Sequence, residues 1–275
     1  MIVSKFGGTS VGSAENIEKV IEIAKQKKEQ VAVVVSALGG VTNQLIRASE
    51  LSLEADPAYE NILDELDTRH RETIDALLQG DFKESALQNL KETLDELRMI
   101  LQGVSLLSDL SGKSAARIVS TGEILSSYLI TMAMKQRGLK ASLKDSRQLI
   151  QTDDTFQNAL VDYDVTYSNI AEFFASTEAE IIVLPGFIAS NERGETTTLG
   201  RGGSDFTAAL IANGAHADCL EIWTDVSGMY TANPKLVRQA KPIESISYQE
   251  AMELSHFGAK VLYPPTVQPA LDKGI

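Results

Sequence analysis

Two glycine-rich runs carry the densest chemistry in this 275-residue sequence. In the first, Lys5 precedes Gly7 and Gly8 at the end of an apolar stretch. Backbone N–H groups, a helix N-terminus and one ammonium could then face the same anion. Taken alone, a glycine pair after a strand is more often a plain turn than a phosphate cradle. The second run, Thr196 to Asp205, gathers Gly200, Gly202 and Gly203 around the Arg201 guanidinium, the Ser204 hydroxyl and the Asp205 carboxylate. Arg201 offers a planar fork suited to a carboxylate. Asp205 opens a helix, where an acid serves equally as a cap. Glu123, in Ser120-Thr121-Gly122-Glu123, has the same two readings, with Thr121 as the N-cap of a new helix and Glu123 as its first-turn acid. Thr224 and Asp225 lead into a hydroxyl-rich loop with Tyr230 and Lys235 that could hold a nucleoside and its phosphates, whereas Trp223 is read as core before it is read as a stacking surface. Lys260 by itself is an ordinary lysine. Neither G-x-x-x-x-G-K-[ST] nor a G-x-G-x-x-G after a strand occurs, so the P-loop and dinucleotide folds lose support.

The elements that must position these groups alternate. Ile2 to Phe6 reads as a buried strand, and Ile17, Val20, Ile21 and Ala24 mark one face of the helix after it. Val31 to Val35 is a second continuous apolar run, followed by Ser36, Gly39, Gly40 and Thr42, the last placed as the N-cap of the next helix. Between residues 57 and 104 the pattern becomes helical throughout: Ile62, Leu66, Ile74 and Leu77, then Leu87, Leu90, Leu94, Leu97, Leu101 and Val104 at three- and four-residue steps. This is expected to be a helical insertion packed by its leucines. Alternation resumes with a helix from Thr121 to about Arg137 and a strand at Lys140 to Leu143. A helix at Val165 to Phe174 and strands at Ile181 to Leu184, Thr196 to Leu199 and Leu220 to Trp223 follow. Such a chain predicts a mostly parallel sheet covered on both faces, with ligands at the carboxyl ends of the strands. No Pro/Gly/Ser-rich linker divides it, so a single domain over 1–275 is expected.

Composition removes other classes. A formal net charge of −13 opposes attraction to nucleic-acid backbones and anionic lipid. Apolar runs fall far short of a bilayer span, and no secretory leader is evident. Cys219 is the single cysteine, and His70, His216 and His256 have no zinc-ligand spacing. A cytoplasmic location is the expectation, and a homo-oligomer is left open.

Together the segments resemble the aspartate kinases of the amino-acid kinase superfamily: KFGGTSVGS at Lys5 to Ser13, SALGGVTN at Ser36 to Asn43, STGE at Ser120 to Glu123, TTTLGRGGSD at Thr196 to Asp205, IWTDVSGMYTANP at Ile222 to Pro234 and FGAKVL at Phe257 to Leu262. The resemblance implies a three-layer α/β/α sandwich and transfer of the γ-phosphoryl of ATP to the β-carboxylate of L-aspartate, the entry to lysine, threonine and methionine biosynthesis. It implies that Lys5 and Lys260 meet the transferring phosphoryl, that Asp205 holds the lysines, and that Arg201 and Glu123 grip the amino acid's carboxylate and ammonium. It further implies that Ser36, Thr42, Phe187 and Ser204 complete the acceptor pocket. Lys5, Gly7, Gly8, Thr224, Asp225, Tyr230, Lys235 and Lys260 would line the nucleotide, with Mg²⁺ held through the nucleotide phosphates and no protein metal site.

Two departures stand out. Tyr230-Thr231-Ala232-Asn233-Pro234-Lys235 carries asparagine and lysine where many such enzymes have aspartate and arginine, so Lys235 keeps a charge without the fork. Aspartate kinases usually continue into paired ACT domains, and with its last residue at Ile275 this sequence is expected to be an excised catalytic domain. Glutamate, N-acetylglutamate and uridylate kinases would share the fold and the lysine pair, and of their acceptors N-acetylglutamate and UMP carry no free ammonium for Glu123 to meet. From another class, a nucleotide-binding regulatory module remains the alternative.

Overall fold

The computed structural model describes residues 1–233, 236–256 and 264–275. Its centre is a five-stranded parallel sheet built from β1 (Ile2–Phe6), β2 (Val31–Val35), β3 (Ala141–Leu143), β5 (Ile181–Pro185) and β8 (Cys219–Trp223), in the order β3-β5-β2-β1-β8. Lys5 stands in register with Val34 on one side and Ile222 on the other. A second, smaller sheet joins β4 (Gln151–Thr152), β6 (Ile188–Asn191) and β7 (Thr196–Thr198), with β6 and β7 antiparallel.

The all-apolar run of β2 is explained by its position, since every one of its residues is buried and a central parallel strand has helices on both faces. Phe6, Val31, Val33, Val35, Ile181 and Val183 enter one core. Val3, Ala32, Val34, Ile182 and Leu184 enter the other. The first core is covered by α1 (Ala14–Lys25), α2 (Val41–Leu53), α3 (Tyr59–Leu77), α4 (Gly80–Leu107) and α5 (Gly112–Gln136), the second by α6 (Tyr163–Ser176) and α7 (Gly203–Gly214). The three layers are those expected of the sequence pattern. Two further helices, α8 (Tyr248–His256) and α9 (Pro264–Leu271), follow β8.

The expected insertion is the pair α3 and α4, and its leucines Leu63, Leu66, Leu90, Leu94, Leu97 and Leu101 belong to the same core as Val31, Val33 and Val35 of β2. The break between the two helices is closed from outside: Gln136 accepts from the Gln79 N–H at 2.7 Å and donates to the Leu77 carbonyl at 3.1 Å. No helix among the described residues is long and apolar enough to cross a membrane.

Four expectations need correction. Helix α2 begins at Val41 with Gly40 as its N-cap, at φ 88°, so Thr42 already lies inside the first turn. Helix α5 begins at Gly112, where the Ser111 hydroxyl accepts from the Ser114 N–H, so neither Thr121 nor Glu123 is at a helix start. The serine-threonine-glycine run looks like a breaker locally, yet packing around Gly122 keeps it helical. The strand before the second glycine run, β7, belongs to the small sheet rather than the central one. Trp223 is not core: it is 37% exposed and stacks nearly parallel on Phe6, with ring centroids 6.0 Å apart.

Candidate active site at the carboxyl edge of the sheet

Three loops converge where β1, β2 and β5 end, together with the start of α7. They enclose a cavity of about 290 Å³, whose walls include Lys5, Gly8, Ser36, Thr42, Glu123, Phe187, Ser204 and Asp205. At its floor the Lys5 ammonium lies 2.6 Å from the Asp205 carboxylate, both side chains largely sequestered. Lys5 reaches this point because it is next to last in β1 and faces the α7 side of the sheet with Val3. Asp205 reaches it from the first turn of α7, where the peptide dipoles favour an acid. The two readings of Asp205 are therefore one geometry: it sits at the helix start and also holds the lysine.

Glu123 forms another wall, presented from the middle of α5. The helix approaches the loop after β2 so closely that a Cβ on Gly122 would lie 2.7 Å from the Ala37 Cβ, closer than two carbons pack. Glycine is required there by proximity. The approach lets the Ala37 N–H donate to Glu123 Oε1 at 3.2 Å. Oε2 has no partner among the described residues, and the residue is 3% exposed. Burial pushes this carboxyl up to about 8, against the partial relief from its backbone hydrogen bonds. An unpartnered carboxylate oxygen lining a cavity is a receptor for a cation, and an ammonium would supply both the charge and the hydrogen bond that it lacks.

The neighbouring hydroxyls are held in series. Ser36 donates to Ser204 Oγ at 3.0 Å, and Ser126 donates to the Ser36 carbonyl at 2.8 Å. Phe187 occupies left-handed backbone at φ 70°, which costs a non-glycine residue about 1 kcal/mol or more. The conformation is pinned by the Thr207 hydroxyl accepting from the Phe187 N–H at 3.0 Å and by the Leu199 N–H donating to the Phe187 carbonyl at 2.9 Å.

Several sequence-predicted residues lie elsewhere. Gly7 sits beneath Lys5, with the ammonium nitrogen 3.6 Å from where a Cβ would be. Arg201 is exposed on the turn between Gly200 and Gly202 and does not line the cavity. Thr224 and Asp225 line a separate cleft of about 240 Å³ with Phe6, Trp223 and residues of α1, and Tyr230 lines neither. Lys235 and Lys260, with the whole Phe257 to Leu262 motif, lie outside the described residues. Sequence reasoning missed the Ala37 amide as the partner of Glu123, because a backbone donor leaves no trace in residue type. Among the described residues no group of three or more His, Cys, Asp or Glu side chains could hold a metal ion.

A fold, a lysine-carboxylate pair and a buried orphan carboxylate at one sheet edge can be set beside known proteins. The aspartokinase of Chlamydia pneumoniae is 38% identical over all of this chain and 58% of its own length. A bifunctional aspartokinase/homoserine dehydrogenase of Buchnera aphidicola is 36% identical over 98% of this chain and 34% of its own. The crystal structure of E. coli aspartokinase III in complex with aspartate and ADP superposes with a TM-score of 0.89 at 34% identity, covering 99% of this chain and 60% of that one. The chain thus spans between about a third and three-fifths of the length of these relatives. The model of the amino acid kinase family matches residues 1–275, and with the parallel sheet and its glycine-loop edge described above, the chain belongs to that family.

Proposed function

We propose that this chain is the catalytic unit of an aspartate kinase, transferring the γ-phosphoryl of MgATP to the β-carboxylate of L-aspartate. The observation that carries the reading is Glu123. Its unpartnered Oε2 lines the cavity that also holds the Lys5–Asp205 pair, so a free ammonium and a phosphoryl group can be received side by side. N-acetylglutamate and UMP present no ammonium to that wall and would leave the oxygen orphaned. The relatives support the same choice, since the E. coli enzyme was solved with aspartate and ADP.

The chemistry asks little covalent work of the protein. A β-carboxylate is ionised at neutral pH, so no base is needed. One carboxylate oxygen attacks the γ-phosphorus, the bond from that phosphorus to the β,γ-bridging oxygen breaks, and ADP departs with the electron pair. What remains is alignment and neutralisation of charge spread over the phosphoryl oxygens. Lys5 supplies a positive charge at the cavity floor, held in place by Asp205 so that it need not reorganise during transfer. Ser36, Ser204 and Thr42 furnish hydroxyls for the acceptor, and Phe187 closes its apolar side. Arg201, on its exposed turn, would reach the α-carboxylate, and Thr224, Asp225, Tyr230, Lys235 and Lys260 the nucleotide. Mg²⁺ would arrive with ATP, since neither Asp205, already paired, nor Glu123 belongs to a cluster that could cage it.

The deciding experiment is ADP release measured with aspartate, glutamate, N-acetylglutamate and UMP in turn. Turnover with aspartate at least a hundred-fold above the other three is expected. Turnover with another acceptor, or nucleotide binding without any turnover, would overturn the assignment.

A further inference from the structure

The glycine loop after β1 and the one after β2 are pressed backbone against backbone. A Cβ on Gly8 would lie 3.1 Å from the Ala37 carbonyl oxygen and 3.3 Å from the Gly39 Cα, and a Cβ on Gly39 would lie 3.1 Å from the Gly8 carbonyl oxygen. Where the two loops touch at Gly8 and Gly39 the contact is main chain on main chain, while Val11, Ala37 and Leu38 of the same loops are buried in the first core. One side chain from a third segment crosses this contact. Arg69, half-buried on α3, donates through Nη1 to the Gly39 carbonyl at 2.7 Å and through Nη2 to the Gly12 carbonyl at 3.2 Å. No carboxylate among the described residues comes within ion-pair distance of it. Among the described residues its guanidinium hydrogen-bonds to two main-chain oxygens, one in each loop.

We infer that Arg69 is a positioning residue, a brace from the helical insertion that fixes the spacing of the two loops lining the reaction cavity. The inference rests on the proposed kinase reading, and it assigns to α3 a duty beyond core packing. Gly8, Gly39 and Gly40 all line that cavity, so whatever sets the separation of the loops sets where the phosphoryl donor and the acceptor meet. A fork is needed because the two carbonyls belong to different segments. Lysine's single ammonium on a flexible stem cannot hold both at fixed separation. Misplacing reacting groups by about 1 Å lowers the rate by around a hundred-fold, so a brace of this kind acts on kcat more than on ground-state nucleotide binding.

The test uses the whole chain carrying Arg69→Lys or Arg69→Met, with hydrogen exchange followed on peptides covering residues 7–12 and 37–42 and, as controls, β2 and α4. Exchange of the two loop peptides should rise by roughly ten- to a hundred-fold in Arg69→Met, the range expected for losing hydrogen bonds to a charged donor, while α4 stays protected. Turnover should fall by about ten- to a hundred-fold with the KM for MgATP changing less than about three-fold, and Arg69→Lys should resemble Arg69→Met. Loop exchange at wild-type rates in Arg69→Met overturns the inference. So does a uniform rise across loops and α4, which would mark a global stability role. Should the wild-type chain release no ADP with aspartate, the kinase reading fails instead, and the exchange arm still decides whether Arg69 braces the loops.

Discussion

Replacing Glu123 by glutamine isolates the charge that the cavity holds in waiting. The carboxyl is lifted from its ordinary 4.5 to about 8 by burial, so in the folded state it binds a proton that the unfolded chain has already released. Its contribution to stability is therefore fully present below pH 4.5 and is lost as the pH rises toward 8. At 1.36 kcal/mol per unit, the handicap reaches about 3 kcal/mol at pH 7. Glu123→Gln keeps an acceptor for the Ala37 N–H but cannot ionise. Urea unfolding of both proteins at pH 5 and pH 8 should show the wild type losing about 3 kcal/mol relative to the variant between the two, because every other titrating group is common to both. The same variant should weaken aspartate by about thirty-fold or more, as expected when one member of a buried charge pair is lost. Parallel stability curves for the two proteins would refute the argument that Glu123 is buried and unpaired in the unliganded state.

Lys5→Ala should lower kcat by about 10² to 10³ while leaving nucleotide affinity much less affected, since one preorganised donor is removed from the transition state; single-turnover kinetics beside nucleotide titration checks this. Gly122→Ala should destabilise by about 1 to 3 kcal/mol despite alanine's better helix propensity, because its methyl would collide with Ala37, and a thermal melt reads the loss. His70 is buried and its pKa is lowered, chiefly by desolvation, so the unfolded chain takes up a proton that the native one refuses. Stability should fall as the pH drops below 6.5, and His70→Leu should flatten that part of the unfolding profile.

How much of this was legible in the sequence differs by residue. The strands and their alternation were, because a parallel strand buried on both faces must be apolar at every position, as Val31 to Val35 is. Lys5 and Asp205 could be named as candidates from their glycine surroundings, but their pairing came only from the resemblance to the aspartate kinases, since nothing local couples position 5 to position 205. Thr42 and Thr121 were misplaced for one reason: hydroxyl residues next to glycine look like caps in isolation. At Gly40 a left-handed glycine took the cap, and at Gly122 close packing of α5 on the neighbouring loop kept the helix intact. Trp223 was assigned to the core by its apolar character, whereas β8 is the edge of the sheet and leaves its terminal residue half in solvent. Arg69 had no signal at all, because its partners are carbonyls and every residue has one.

The placement of β1 between β2 and β8 bears on how the chain is made. Ser4 and Glu221, hydrogen-bonded across that junction, are 217 positions apart. At ribosomal rates of about 5 to 20 residues per second, β1 waits roughly 10 to 40 s for its second neighbour. Until then one flank of the strand bearing Lys5 stays open, and Asp205 is still to be joined to it across a long loop-closure penalty. A nascent fragment can thus bury much of the α2–α5 side of the molecule while possessing no lysine-carboxylate pair. The lysine-carboxylate pair is completed only with the last third of the chain, so an interrupted translation product would carry a nearly complete first core beside an unfinished cavity.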